Sequence, residues 1–205
     1  MHTILRSFLS LVVPSAVAHD ATPVSEASTT IDNLQAAFNG ESNANARYVA
    51  FAKKADEEGY GEVASLFRAA AKAEEIHARN HAEVIEKLGS TPVLNLEPIE
   101  VKSTRENLKV AMEGEVYERD IMYPEFIEAA KRQKETLAIR TFTWAMKVEA
   151  LHALLYQDAL ENLAERRGAS RTYYVCPDCG NTMEALTILK CLICGHPKSG
   201  FIAVD

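Results

Sequence analysis

The sequence predicts an all-α bundle of four helices followed by a small module built on four cysteines. Two Glu-x-x-His steps, Glu74 with His77 and Glu149 with His152, each follow a Gly-Glu pair, Gly40-Glu41 and Gly114-Glu115. Apolar residues recur at helical spacing from Thr30 onward, with one extended interruption. Two C-x-x-C pairs are confined to the last 30 residues.

The first helix opens near Thr30, places Leu34, Phe38, Glu41, Asn45, Tyr48 and Ala52 on one face, and stops at Gly59 and Gly61. The second runs from about Glu62 to Leu88, with Val63, Leu66, Phe67, Ala70, Glu74, His77, His81 and Val84 facing inward. Ser90 to Lys102, containing Pro92 and Pro98, reads as an extended crossover, and Ser103-Thr104-Arg105-Glu106 is a capping-box signature opening the third helix. That helix carries Leu108, Ala111, Glu115, Glu118, Met122 and Phe126 on one face. Pro124 should kink it, because proline removes an amide donor and crowds the preceding turn. A turn near Gln133-Lys134 leads to a fourth helix with Ala138, Thr141, Ala145, Glu149, His152, Tyr156 and Leu163 inward, ending at Gly168. One long link between two antiparallel helix pairs is the ferritin-like bundle topology.

At 205 residues the chain holds one sizeable core and an appendage. A net charge of -7 with no Lys/Arg cluster argues against nucleic acid or an anionic membrane as partner. No run approaches the roughly 20 apolar residues that span a bilayer. Residues 1–18 have the form of a signal peptide, with Arg6, an apolar run from Phe8 and Ala16-Val17-Ala18 as a cleavage site; a plain leader is the alternative. Cleavage would place the protein in the periplasm or outside, and its absence in the cytoplasm. Residues 19–29 read as a polar tether, 30–168 as the bundle and 173–205 as the cysteine module.

A carboxylate on the apolar face of a buried helix is costly unless paired or bound to metal. Glu41, Glu74, Glu115 and Glu149 all fall in register with core residues, and His77 and His152 follow their glutamates at i+3. Four carboxylates and two imidazoles make a hard, mixed donor set suited to two iron or manganese ions. Glu118, whose counterpart in the first half is Ala44, is either a seventh ligand or a glutamate outside the set. Tyr48 and Tyr123, seven and eight residues after Glu41 and Glu115, either hydrogen-bond ligand carboxylates or only pack. His81 reads as core or support for the ligands, and Trp144 as packing. In the tail, Cys176-Pro-Asp-Cys179 and Cys191-Leu-Ile-Cys194 can point four thiolates at one tetrahedral centre. Iron there would transfer an electron; zinc would only hold the fold.

From about Thr30 onward the chain resembles rubrerythrin. The resemblance rests on Asn39-Gly-Glu-Ser-Asn-Ala, Ala73-Glu-Glu-Ile-His77, Glu113-Gly-Glu-Val-Tyr-Glu118, Met122-Tyr-Pro-Glu-Phe126, Glu149-Ala-Leu-His152 and Cys191-Leu-Ile-Cys194-Gly-His-Pro-Lys198. It implies a ferritin-like bundle with a rubredoxin-like domain, and a di-iron centre on Glu41, Glu74, His77, Glu115, Glu118, Glu149 and His152 that reduces hydrogen peroxide. Glu118 and His77 match the positions that exchange as ligands on reduction. The resemblance further implies an Fe(Cys)4 relay on Cys176, Cys179, Cys191 and Cys194, a reductase or rubredoxin as electron donor, and a homodimer or higher oligomer in which the cysteine centre of one chain feeds the di-iron centre of another. Iron handling of the ferritin kind, and a zinc-stabilised module without turnover, are the competing readings. Leu192 stands where rubredoxin-type centres usually carry proline, and Asn181-Thr182-Met183 replaces an aromatic, glycine-rich stretch.

Overall fold

A computed structural model describes residues 29–205; the leader and nearly all of the tether lie outside the described residues. Helix α1 (Thr30–Glu57) begins at Thr29, whose side chain accepts from the Asp32 amide while the Asp32 carboxylate accepts from Thr29. This box satisfies amides that have no partner inside the helix. A short turn at Gly59 (φ 78°) reverses the chain into α2 (Gly61–Lys87). Gly61 is required there, because a Cβ at this position would lie 2.2 Å from the Gly168 carbonyl oxygen.

The extended crossover is held against α1 by side-chain amides. Gln35 bonds the Val93 backbone in both directions, and Asn43 bonds the Asn95 carbonyl and the Glu97 amide. Ser103 and Glu106 form the expected capping box for α3 (Thr104–Tyr117). A π-helical turn (Glu118–Met122) follows, then α4 (Tyr123–Gln133) with Pro124 in its first turn. The predicted kink is thus a π turn just before the proline. Lys134, in the left-handed conformation (φ 60°), makes the turn into α5 (Thr136–Glu161). That helix ends well short of Gly168, because the chain turns to pair the Gly168 amide with the Gly59 carbonyl.

The tail forms a three-stranded antiparallel sheet in the order β2 (Thr182–Met183), β1 (Tyr173–Val175), β3 (Ile202–Val204). Tyr173 and Val175 enter the same apolar cluster as Phe67 and Tyr156, so the sheet is packed onto the bundle. A second cluster, including Leu34, Ile85, Tyr123, Phe142 and Ala145, closes the opposite end. Between the two lies a polar layer of buried glutamates and histidines.

Candidate metal centres

The four helices bring Glu41, Glu74, His77, Glu115, Glu149 and His152 together, each at most 1% exposed. Two groups form: Glu41, Glu74, His77 and Glu149, and Glu74, Glu115, Glu149 and His152. Glu74 and Glu149 belong to both. Nδ1 of His77 is 2.8 Å from Glu74 Oε2 and 2.9 Å from Glu149 Oε1, while Nδ1 of His152 is 3.2 Å from Glu74 Oε1 and 2.9 Å from Glu149 Oε2. Each shared carboxylate therefore offers one oxygen to either side. Of these two imidazoles Glu41 approaches that of His77 (3.7 Å) and Glu115 that of His152 (3.8 Å), while Glu41 Oε1 also lies 3.9 Å from His81 Nε2.

These atoms are at contact distance but lack hydrogen-bond geometry. Both Nδ1 atoms, all four oxygens of Glu74 and Glu149, and Oε2 of Glu41 and Glu115 have no hydrogen-bond partner among the described residues. Such buried groups are very costly unless something binds them. Two divalent cations would balance the four carboxylates, and the lone pairs already converge on two points. Without cations the ionisations are distorted. Burial, then the neighbouring Glu149 and Glu74, pushes Glu41 and Glu115 well above the ordinary carboxylate range. Burial disfavours charge on His77 and His152 as well, but the surrounding carboxylates outweigh it and raise both. Glu149 is lowered, since the two imidazoles overcome its burial.

The imidazoles are oriented from behind. His77 Nε2 donates to the Cys179 carbonyl (3.0 Å), and His152 Nε2 to Thr182 Oγ1 (3.1 Å), which leaves both Nδ1 atoms facing the centre. Both tyrosines bond ligand carboxylates across the bundle: Tyr48 donates to Glu115 Oε1 (2.6 Å) and Tyr123 to Glu41 Oε1. Glu118 is in neither group. It is half-buried, and its Oε1 lies 3.9 Å from where a Cβ at Gly40 would sit. Thr182 is the contact that the sequence reading missed, since it lies in the segment noted only for departing from the rubredoxin pattern.

The four cysteines are free and converge, with Sγ separations of 3.4 Å (Cys176–Cys194) and 3.5 Å (Cys179–Cys191). Bonds of about 2.3 Å to one tetrahedral ion place sulfurs at about 3.8 Å, so the thiols are near the spacing a single metal demands. Cys176 is brought down to about 5, chiefly by the adjacent Cys179 thiol, while Cys194 is pushed up to about 12, chiefly by burial. Trp144, Ile193 and Phe201 pack over the cluster. A Cβ at Gly180 (φ 78°) would lie 2.6 Å from His77 Nε2, so only glycine lets the first knuckle approach. The knuckle rests on its own chain's bundle, so the two donor sets meet without a second chain.

Fold and sites together define a ferritin-like di-metal protein with an appended four-thiolate centre. The rubrerythrin family model matches residues 32–160. Rubrerythrin-2 of Clostridium acetobutylicum is 38% identical over 176 residues, covering 85% of this chain and 96% of that protein. Nigerythrin of Nitratidesulfovibrio vulgaris is 36% identical over 85% of this chain and 86% of its own. A solved nigerythrin structure, in a mixed-valence state, superposes with a TM-score of 0.80 at 35% identity, covering 91% of this chain and 90% of that one. The chain belongs to the rubrerythrin family. Its buried glutamate–histidine cluster and its four cysteines are the donor sets of a di-iron centre and of an Fe(Cys)4 centre.

Proposed function

We propose that this protein reduces hydrogen peroxide to water, with electrons entering through the cysteine centre from an external reductase or rubredoxin. The observation that carries the reading is the Cys179–His77 hydrogen bond. Cys179 is a thiolate donor at one centre and His77 an imidazole donor at the other, so one carbonyl and one hydrogen bond join the two sites. A storage protein has no use for that junction.

Two bound irons would supply one electron each to the O–O bond, so that no radical need escape. Glu74 and Glu149, each with one oxygen toward either imidazole, would hold both ions. Glu41 and Glu115 complete one side each, their tyrosine bonds fixing Oε1 and leaving Oε2 free. Glu118, half-buried beside Gly40 and outside the cluster, would exchange with His77 as a ligand as the charge on that position changes, as the family resemblance implies. His77 is the natural partner for that exchange, because its ring is tied to the electron-supplying module.

The test is iron and zinc per chain, with Mössbauer spectra, followed by stopped-flow mixing of reduced protein with peroxide and separately with oxygen. Rapid reoxidation by peroxide is expected; slow reaction with peroxide but rapid reaction with oxygen would overturn the proposal. Cys191→Ser should abolish reductase-driven turnover while chemically reduced protein still reacts once. Undiminished turnover in that variant would remove the relay.

A further inference from the structure

Peroxide reduction consumes two protons with each pair of electrons, and the six donor residues are closed to solvent. Protons therefore need a route of their own. His81 lies one turn beyond His77 on α2, is fully buried, and belongs to neither donor group. It is the middle of a hydrogen-bonded line. Thr141 Oγ1 is 3.1 Å from its Nδ1, the Tyr123 hydroxyl is 3.1 Å from its Nε2, and Tyr123 donates in turn to Glu41 Oε1.

The direction of the line follows by elimination. His81 is fully buried and both ring nitrogens meet hydroxyls rather than a hydrogen-bonded carboxylate, so the ring is neutral and carries one N–H. The hydroxyl proton of Tyr123 is committed to Glu41, so its oxygen accepts from His81, and the ring proton sits on Nε2. Nδ1 is then the acceptor for Thr141. All three bonds point toward the metal site. Thr141 also lines a surface cavity of about 240 Å³, together with Arg79, Glu83, Arg140 and Asp178, with room for several waters.

Among the described residues the other half has no such line. The Tyr48 hydroxyl meets Glu115, but its ring is enclosed by Phe51, Phe67 and Tyr156, with centroids 5.6–6.3 Å away. The Tyr156 hydroxyl has no hydrogen-bond partner among the described residues. The two sides of the site thus differ in access to water-borne protons.

We propose that Thr141, His81 and Tyr123 form the proton-entry line of the di-metal site, opening at the Arg79–Arg140–Asp178 cavity and ending on Glu41. The proposal rests on the peroxide-reducing reading above. A proton arriving at Nδ1 displaces one from Nε2, which passes through the Tyr123 hydroxyl to Glu41 and on to a peroxide oxygen. The balance is one peroxide, two electrons from the metal pair and two protons from the cavity, yielding two waters. No member of the line needs to hold a net charge.

Two measurements test it. In the zinc-loaded full chain, nitrogen-15 NMR of histidine should find the His81 proton on Nε2; a proton on Nδ1 would reverse the line and overturn the proposal, whatever the activity. In the reduced iron protein, Thr141→Val and His81→Phe should each slow a single reoxidation by peroxide about tenfold or more and enlarge its solvent deuterium effect. Iron content should be unchanged, and Thr141→Ser should restore the rate. Thr141→Val reacting at the wild-type rate sinks the line, whereas wild-type protein inert to peroxide sinks the peroxide reading instead.

Discussion

Glu74 and Glu149 each present one oxygen to His77 and the other to His152. Neither can be removed without disturbing both metal positions. Glu149→Ala is therefore expected to reduce the iron bound in the bundle to below one per chain, measured by metal analysis after reconstitution with the cysteine-bound ion counted separately. Glu118 behaves differently, because it stands outside both groups. Glu118→Ala should retain two irons in the bundle but slow peroxide turnover by about tenfold or more, in line with losing one reactive-site group. Loss of iron in that variant would make Glu118 a structural ligand, and unchanged turnover would remove it from the site. The six clustered donors were legible in the sequence because inward registration on four helices leaves them one place to converge. The position of Glu118 was not, since three residues along a helix fix a face but not a rotamer.

The π turn settles a mismatch between the two halves. Tyr48 follows Glu41 by seven residues, about 20° short of two full turns, while Tyr123 follows Glu115 by eight, which in a regular α-helix would rotate it by about 80°. A π turn accommodates one extra residue. The turn at Glu118–Met122 therefore restores Tyr123 to the core face, where it reaches Glu41. The sequence placed a distortion at Pro124 but could not specify its kind, because a kink and a π turn both relieve a missing amide. Gly180 acts at the same scale. Gly180→Ala must shift the knuckle off His77, losing the Cys179–His77 bond and straining a positive φ, at about 2 kcal/mol against the docked pose. The ratio of docked to undocked forms falls more than tenfold by that estimate. Electron transfer from the reduced cysteine centre to the bundle should slow accordingly in stopped-flow absorbance, with both metals still bound.

Across the whole molecule, metal and proton compete for the same buried groups. In the metal-free protein, Glu41, Glu115, His77 and His152 all have raised pKa values, from ordinary values of 4.5 and 6.5. The folded chain thus holds protons that the unfolded chain releases. Their stabilisation is present at low pH and is lost as pH rises through the folded values. Glu149, being lowered, acts in the opposite sense and weakens the fold only as pH falls toward its own low value. Metal-free protein should therefore lose several degrees of Tm between pH 6 and pH 9, while the iron-loaded protein should not, because metal needs the deprotonated ligands. Calorimetry of both forms at the two pH values checks this; a metal-free Tm that rises with pH would contradict it. Among the described residues no helix is long and apolar enough to cross a membrane.

The sequence by itself determined the class of protein. Helical periodicity fixes which face each residue occupies, and carboxylates on an apolar face demand a cation, so the paired Glu-x-x-His steps and the cysteine knuckles were sufficient. Only the tertiary structure decided how the two metal modules meet. That junction depends on a carbonyl, on Thr182 in a segment that matched no pattern, and on a glycine whose value lies in the atom it lacks. The line through His81 is of the same kind, since its members come from three helices and share no spacing. Contacts made by backbone groups and by residues distant in the chain leave no period in the sequence, because packing alone brings them together.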